Sequence, residues 1–293
     1  MLRRGIVLAV LLLALVGGSG AAQARPLKVV ATFSILAGIT QEIAGPAAEV
    51  VALVGPDGDA HLFEPSPANV KALSEADLVV ANGLGLEPWL DRLVAAAGAR
   101  GKLVVASAGV TPRMEDRVAD PHAWQDLANG RRYAANIAQA LAAAAPDQGA
   151  AITARAADYD HRLEQLDGWV RAQIATLPEA QRRIITTHDA FGYFGRAYGV
   201  TLLAAQGLST EAEPTSRDVA RLVRQIKQAK VRAVFLENMS DPRLIRALAH
   251  DAGAVVGGTL YADALSAADG PAPGYEAMFR HNVAVLVAAM AKN

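Results

Sequence analysis

The sequence predicts an α/β protein of two lobes, each a roughly four-stranded parallel sheet flanked by helices, joined by one long connector helix. Three observations carry this. Short apolar runs alternate with helix-length segments in both halves, the pattern of β–α–β crossovers. Between the halves, residues 147–177 show no strand signal and no proline. The chain has 293 residues, 52% hydrophobic and 19% charged, which exceeds one average domain and suits two lobes.

The first 24 residues differ from the rest. Arg3 and Arg4 precede the apolar run 6–16, and small residues lead to Ala22-Gln23-Ala24. Positive flank, short apolar core and A-x-A site are the parts of a cleavable secretory signal peptide. The run falls short of the ~20 apolar residues a membrane-spanning helix needs.

An N-terminal α/β lobe is expected over 25–146. It opens with a strand at 27–31 and a helix at 33–44, ended by Gly45-Pro46. A strand at 49–54 stops at Gly55-Pro56-Asp57-Gly58. Helix 69–75, strand 77–81, helix 87–97 and strand 102–106 follow. In the connector, 147–177, Ile152, Ala156, Tyr159, Leu163, Leu166 and Val170 recur at three- and four-residue spacing, one apolar stripe. The C-terminal lobe, 178–293, repeats the alternation: strands at 183–187, 200–204, 231–236 and 254–257, helices at 191–198, 216–228, 242–252 and 275–290. No strict sequence repeat relates the lobes.

Composition removes several functions. With no cysteine, a metal site must use His, Asp, Glu or backbone oxygen, and disulfides are out. A lipoprotein needs a cysteine at its processing site, so an unanchored periplasmic protein is expected. Loss of 1–24 leaves 26 basic against 29 acidic residues, a net charge of −3. No basic block is visible, so neither nucleic acid nor anionic membrane is expected as a main partner.

In open α/β sheets, ligands bind at the carboxyl ends of the strands. His61 follows the second strand, His122 the fourth, His188 directly follows 183–187, and Asp263 follows the short strand 254–257. The histidines sit in stiff settings: two prolines follow His61, Pro121 precedes His122, and an aromatic run follows His188. His161, His250 and His281 fall within helices and read as structural. Glu64, Asp189 and Glu237 are placed to accept from ligand imidazoles. Asp59 and Asp120 read as turn formers.

Five stretches, DAHLFEPSP at 59–67, DPHAW at 120–124, THDAFGYFGRAYG at 187–199, GLSTEAEPT at 207–215 and LYADALS at 260–266, resemble the zinc- and manganese-binding cluster of solute-binding proteins that serve ABC transporters. The resemblance implies two lobes on a backbone helix, with a metal between them held by His61, His122, His188 and Asp263. It implies a monomeric carrier, not an enzyme, that hands its cargo to a membrane permease. Zinc hydrolase and adhesin are the competing readings; four protein ligands leave no open position for a catalytic water. Manganese-binding relatives often carry glutamate at the third position. His188 there points to Zn(II) as cargo, with Mn(II) the alternative. Many zinc-binding relatives also carry a His-rich loop before the second ligand. Here residues 111–119 contain no histidine, so that loop's part is either absent or supplied by a metal-donating protein.

Overall fold

The computed structural model describes residues 25–293 except 100, 101, 213 and 230; the expected leader lies outside them. The first sheet contains β1 (Leu27–Phe33), β2 (Ala48–Val54), β3 (Leu78–Ala81) and β4 (Lys102–Val105), in the order β2-β1-β3-β4 and all parallel. β1 lies between two partners and its last five residues are buried, which its unbroken apolar run permits. Helix α1 (Ser34–Ala44) starts without a break after β1 and buries Ile35, Leu36, Ile39 and Ile43. It ends at Gly45, whose φ of 52° favours glycine. Helix α2 (Pro67–Glu75) starts with a reciprocal Ser66–Asn69 capping box and a proline in its first turn. Helix α3 (Leu90–Ala97) packs beside α2.

Three features differ from the sequence expectation. A two-stranded antiparallel hairpin, β5 (Met114–Glu115) and β6 (Val118–Ala119), occupies the histidine-free stretch between β4 and His122, where no strand is expected. Helix α4 (Leu127–Ala144) was not anticipated, because its alanines dilute the apolar stripe. Leu127, Gly130, Ala134, Ile137 and Leu141 nevertheless keep helical spacing and are buried. Gly130 is required there, since a Cβ would collide with Tyr275. The last strand of the second sheet is the third difference, described below.

The connector is α5 (Gly149–Ala175), 27 residues and so about 40 Å long. It buries Ile152, Tyr159, Leu163, Leu166 and Val170 against α1, α4 and the last helix, α9. The second sheet contains β7 (Arg183–Thr186), β8 (Thr201–Ala204), β9 (Ala233–Glu237) and β10 (Val255–Leu260), in the order β10-β9-β7-β8, again parallel. Helices α6 (Gly192–Tyr198), α7 (Ser216–Ala229) and α8 (Pro242–Ala252) connect these strands, and α9 (Tyr275–Met290) closes the chain.

In each lobe the first strand is central, the second lies to one side, and the third and fourth to the other. The lobes therefore repeat a topology without repeating a sequence. β10 runs past the expected stop because Gly257 and Gly258 are not terminators. A Cβ at Gly257 would press on Phe235 and Ala289, and the register shifts between Val256 and Gly258. One apolar core joins the first lobe, the connector and the inner side of the second lobe. A second core lies under α7 and α8, built from Ile185, Leu222, Ile226, Val234, Ile245 and Leu248.

Candidate metal centre

His61, His122, His188 and Asp263 come from four loops at the carboxyl ends of strands and converge, all buried, with one donor atom from each within 4.8 Å of the others. The Nε2 atoms of His61 and His188 each lie 3.3 Å from Nε2 of His122. Asp263 Oδ2 lies 3.1 Å from His188 Nε2 and 3.4 Å from His61 Nε2. Donors about 2.0–2.1 Å from one ion at tetrahedral corners lie about 3.3–3.4 Å apart. Four of the six donor separations lie near that value, which suits donors gathered around a single cation.

The imidazoles are held in orientation from behind. His122 Nδ1 donates to Asp120 Oδ1 at 2.8 Å. His188 Nδ1 donates to Glu237 Oε2. Glu237 Oε1 also accepts the backbone N–H groups of Thr187 and His188, at 2.9 and 3.1 Å. A carboxylate on Nδ1 fixes the tautomer and turns the Nε2 lone pair toward the centre. His61 is held by its loop: Asp59 Oδ1 accepts its backbone N–H, and Trp89 Nε1 donates to the Ala60 carbonyl. Asp263 is set across the lobes, because Trp124 Nε1 and Gln125 Nε2 both donate to the carbonyl of Ala262.

Both carboxylate oxygens of Asp263 are buried and have no hydrogen-bond partner among the described residues. A buried carboxylate without donors is costly unless a cation faces it. Burial alone would raise the Asp263 carboxyl, yet the facing His188 and His122 rings hold it well below the usual carboxylate range. Burial would lower His188, but Glu237 and Asp263 overcome that and raise it well above the usual imidazole range. The residues fit a divalent cation of borderline softness, which takes imidazole and carboxylate together.

The outer residues fall out unevenly. Glu237 faces a ligand ring as expected. Glu64 is exposed and touches no ligand, and Asp189 pairs with Arg113 Nη2 at 3.2 Å instead of with a histidine. Asp120, read as a turn former, is the partner of His122. It lies two residues before that histidine, close enough to accept both the backbone and the ring N–H. The Asp59–His61 spacing is the same but yields only the backbone bond, so spacing alone does not separate the two. His161 and His250 are exposed on their helices, and His281 bonds the Thr259 carbonyl.

Fold and site define a substrate-binding protein of the metal ABC-transport class: two parallel-sheet lobes on a long helix, with a three-histidine, one-aspartate cluster between them. The chain belongs to the family of the zinc-uptake complex component A periplasmic protein, which it matches over residues 29–289. It is 33% identical over 267 residues to a manganese-binding lipoprotein of Halalkalibacterium halodurans, covering 91% of this chain and 89% of that one. It is 34% identical over 284 residues to the zinc-binding protein TroA of Treponema pallidum, covering 93% and 91%. The solved structure of that periplasmic zinc-binding protein superposes with a TM-score of 0.87 at 32% identity, covering 92% of this chain and all of the other. These relatives are metal-binding proteins.

One expectation is overturned here. The cysteine count pointed to a protein without a lipid anchor, but relatives matching nine-tenths of the chain are described as lipoproteins. Anchoring is chemistry of the N-terminal segment, which lies outside the described residues, so nothing in the fold supports the unanchored reading. The location stands as periplasmic or extracellular.

Proposed function

We propose that this protein captures Zn(II) through His61, His122, His188 and Asp263 and delivers it to an ABC-type permease. The lobes so served would span 25–146 and 178–293, with 147–177 between them, and the carrier would act as a monomer. The observation that carries the reading is the convergence of three Nε2 atoms on a buried Asp263 carboxylate that has no other partner among the described residues. All four corners are protein donors, which suits cargo and leaves no place for a catalytic water. Metal reaches the site as substrate: it replaces a proton on the imidazoles, and Asp263 offsets its charge. Release then requires one donor to withdraw. His61 is the candidate, because among the described residues its ring is the one of the three without a carboxylate behind it.

Manganese is the second reading, and one feature favours it. Both Asp263 oxygens face the cluster, Oδ1 at 3.7 Å from His122 Nε2 and Oδ2 at 3.1 Å from His188 Nε2. Bidentate binding would raise the coordination number to five, which suits manganese better than tetrahedral zinc. Titration of the purified protein with zinc in the presence of manganese tests the choice. Zinc at one per chain, not displaced by a large excess of manganese, supports the proposal; a preference for manganese refutes it.

A further inference from the structure

Helices α7 and α8 pack side by side as the outer layer of the second lobe. Their apolar residues, Leu222 and Ile226 on α7 and Ile245 and Leu248 on α8, point inward to the second core. The opposite faces are basic. Arg217, Arg221 and Arg224 recur at four- and three-residue spacing on α7, with Lys227 beside them, and Arg243 and Arg246 continue the face on α8; all six are exposed. Asp218 pairs with Arg221 at 2.8 Å and Asp241 with Arg243 at 2.5 Å. Arg217, Arg224, Lys227 and Arg246 have no ion pair among the described residues.

The corresponding outer layer of the first lobe, α2 and α3, has no such bias: exposed Lys71 and Arg92 stand against exposed Glu75 and Asp91. Whole-chain net charge is −1, which hides this asymmetry. The residues are scattered in sequence, and helical periodicity gathers them. Among the described residues, none of the large exposed hydrophobic side chains lies on α7 or α8. A protein interface normally has an apolar core with anchor residues. A plane of anionic headgroups needs only a wide field of positive charge.

We propose that the α7/α8 face docks the carrier on the anionic phospholipid headgroups of a membrane, holding it near the bilayer that carries its permease. This goes beyond metal capture, and no metal ligand lies on this face.

The test is co-sedimentation of the protein, as isolated from cells, with vesicles of equal parts phosphatidylglycerol and phosphatidylcholine, against vesicles of phosphatidylcholine alone. The comparison variant combines Arg217→Glu, Arg224→Glu, Lys227→Glu and Arg246→Glu. Both proteins share the same N-terminus, so their difference reads the face alone. Each basic residue near an anionic surface strengthens binding about fivefold. Partition of the wild type to the anionic vesicles should exceed that of the variant at least about 600-fold at low salt and fall steeply with salt, while zinc binding and circular dichroism stay unchanged. If the fourfold variant does not fold, Arg217→Gln with Arg224→Gln should lower partition about 25-fold. Equal partition of wild type and folded variant overturns the proposal. So does equal binding of the wild type to both vesicles; if charge reversal then still blocked metal uptake by cells, the face would belong to an acidic protein surface.

Discussion

Arg113 Nη1 meets Asp120 Oδ2 at 2.8 Å, while the other oxygen of that buried carboxylate holds the His122 ring. The same guanidinium reaches Asp189 across the cleft, next to His188. Arg113 thus steadies one candidate ligand through Asp120 and ties the loops of both lobes. It also offsets part of the negative charge that Asp120, Glu237 and Asp263 gather around the site.

Arg113→Ala should weaken zinc binding about 10–100-fold, the usual cost of losing a group behind a ligating histidine. It leaves Asp120, which is fully buried, without its cationic partner, so stability should fall by about 3 kcal/mol. Isothermal titration and chemical denaturation of one preparation read both effects. Arg113→Lys, which keeps charge but loses the planar fork, should recover only part of the affinity.

Glu237→Gln keeps the shape behind His188 but removes the charge that favours its Nδ1 proton. Zinc affinity should drop about 10–100-fold. Asp263→Asn removes a direct donor and should cost more than about 100-fold. Both variants should retain the native circular dichroism spectrum, because the two sheets and the apolar core that joins them include neither side chain. Loss of the fold in Asp263→Asn would mark a structural metal instead of a cargo.

Zinc affinity should rise with pH by about tenfold per unit for each proton the metal must displace, until the raised value of His188 is passed. Metal-free stability follows the same groups. His188, raised in the folded state, stabilises fully below its unfolded value near 6.5 and loses that contribution as pH climbs through its raised folded value. Asp263, lowered in the folded state, stabilises above its unfolded value near 3.9 and loses that contribution as pH falls through its folded value. Melting of the metal-free protein across this range should show a plateau between the two, with decline at the alkaline end blunted in Glu237→Gln.

Leu163→Ala on the connector should cost about 2–5 kcal/mol, since the side chain is fully buried between the lobes. By contrast, Arg162, which bonds Glu42 of α1 and Glu276 of α9 at 2.7 Å each, is partly exposed, and its loss should cost about 1 kcal/mol or less. Urea denaturation of the two variants separates core packing from surface pairing.

Fold class and strand order along the chain were legible because buried parallel strands leave apolar runs and their loops leave glycine and proline. The connector was legible from Ile152 to Val170 for the same kind of reason. Helix α4 was not, because alanine contributes little contrast between its faces. β10 was cut short because Gly257 and Gly258 read as a stop, whereas in the sheet they make room for Phe235 and Val285. The four converging residues lay in legible loops, but their supports did not. Arg113 and Asp120 are common surface residue types, and only the packing of Tyr193 against that segment, with its hydroxyl bonding the Arg113 N–H and the Asp120 carbonyl, brings them to the site. The basic face on α7 and α8 does not show in the net charge, because its residues are scattered along the chain and only the helical period gathers them.

The central claim is that His61, His122, His188 and Asp263 hold one zinc ion as cargo. X-ray absorption at the zinc edge, on protein loaded with one zinc per chain, tests it most directly. The account predicts four light donors at about 2.0–2.1 Å, with imidazole scattering from three of them that drops in His61→Ala, His122→Ala and His188→Ala alike. A first shell of six oxygens, or a spectrum unchanged by these substitutions, would contradict it.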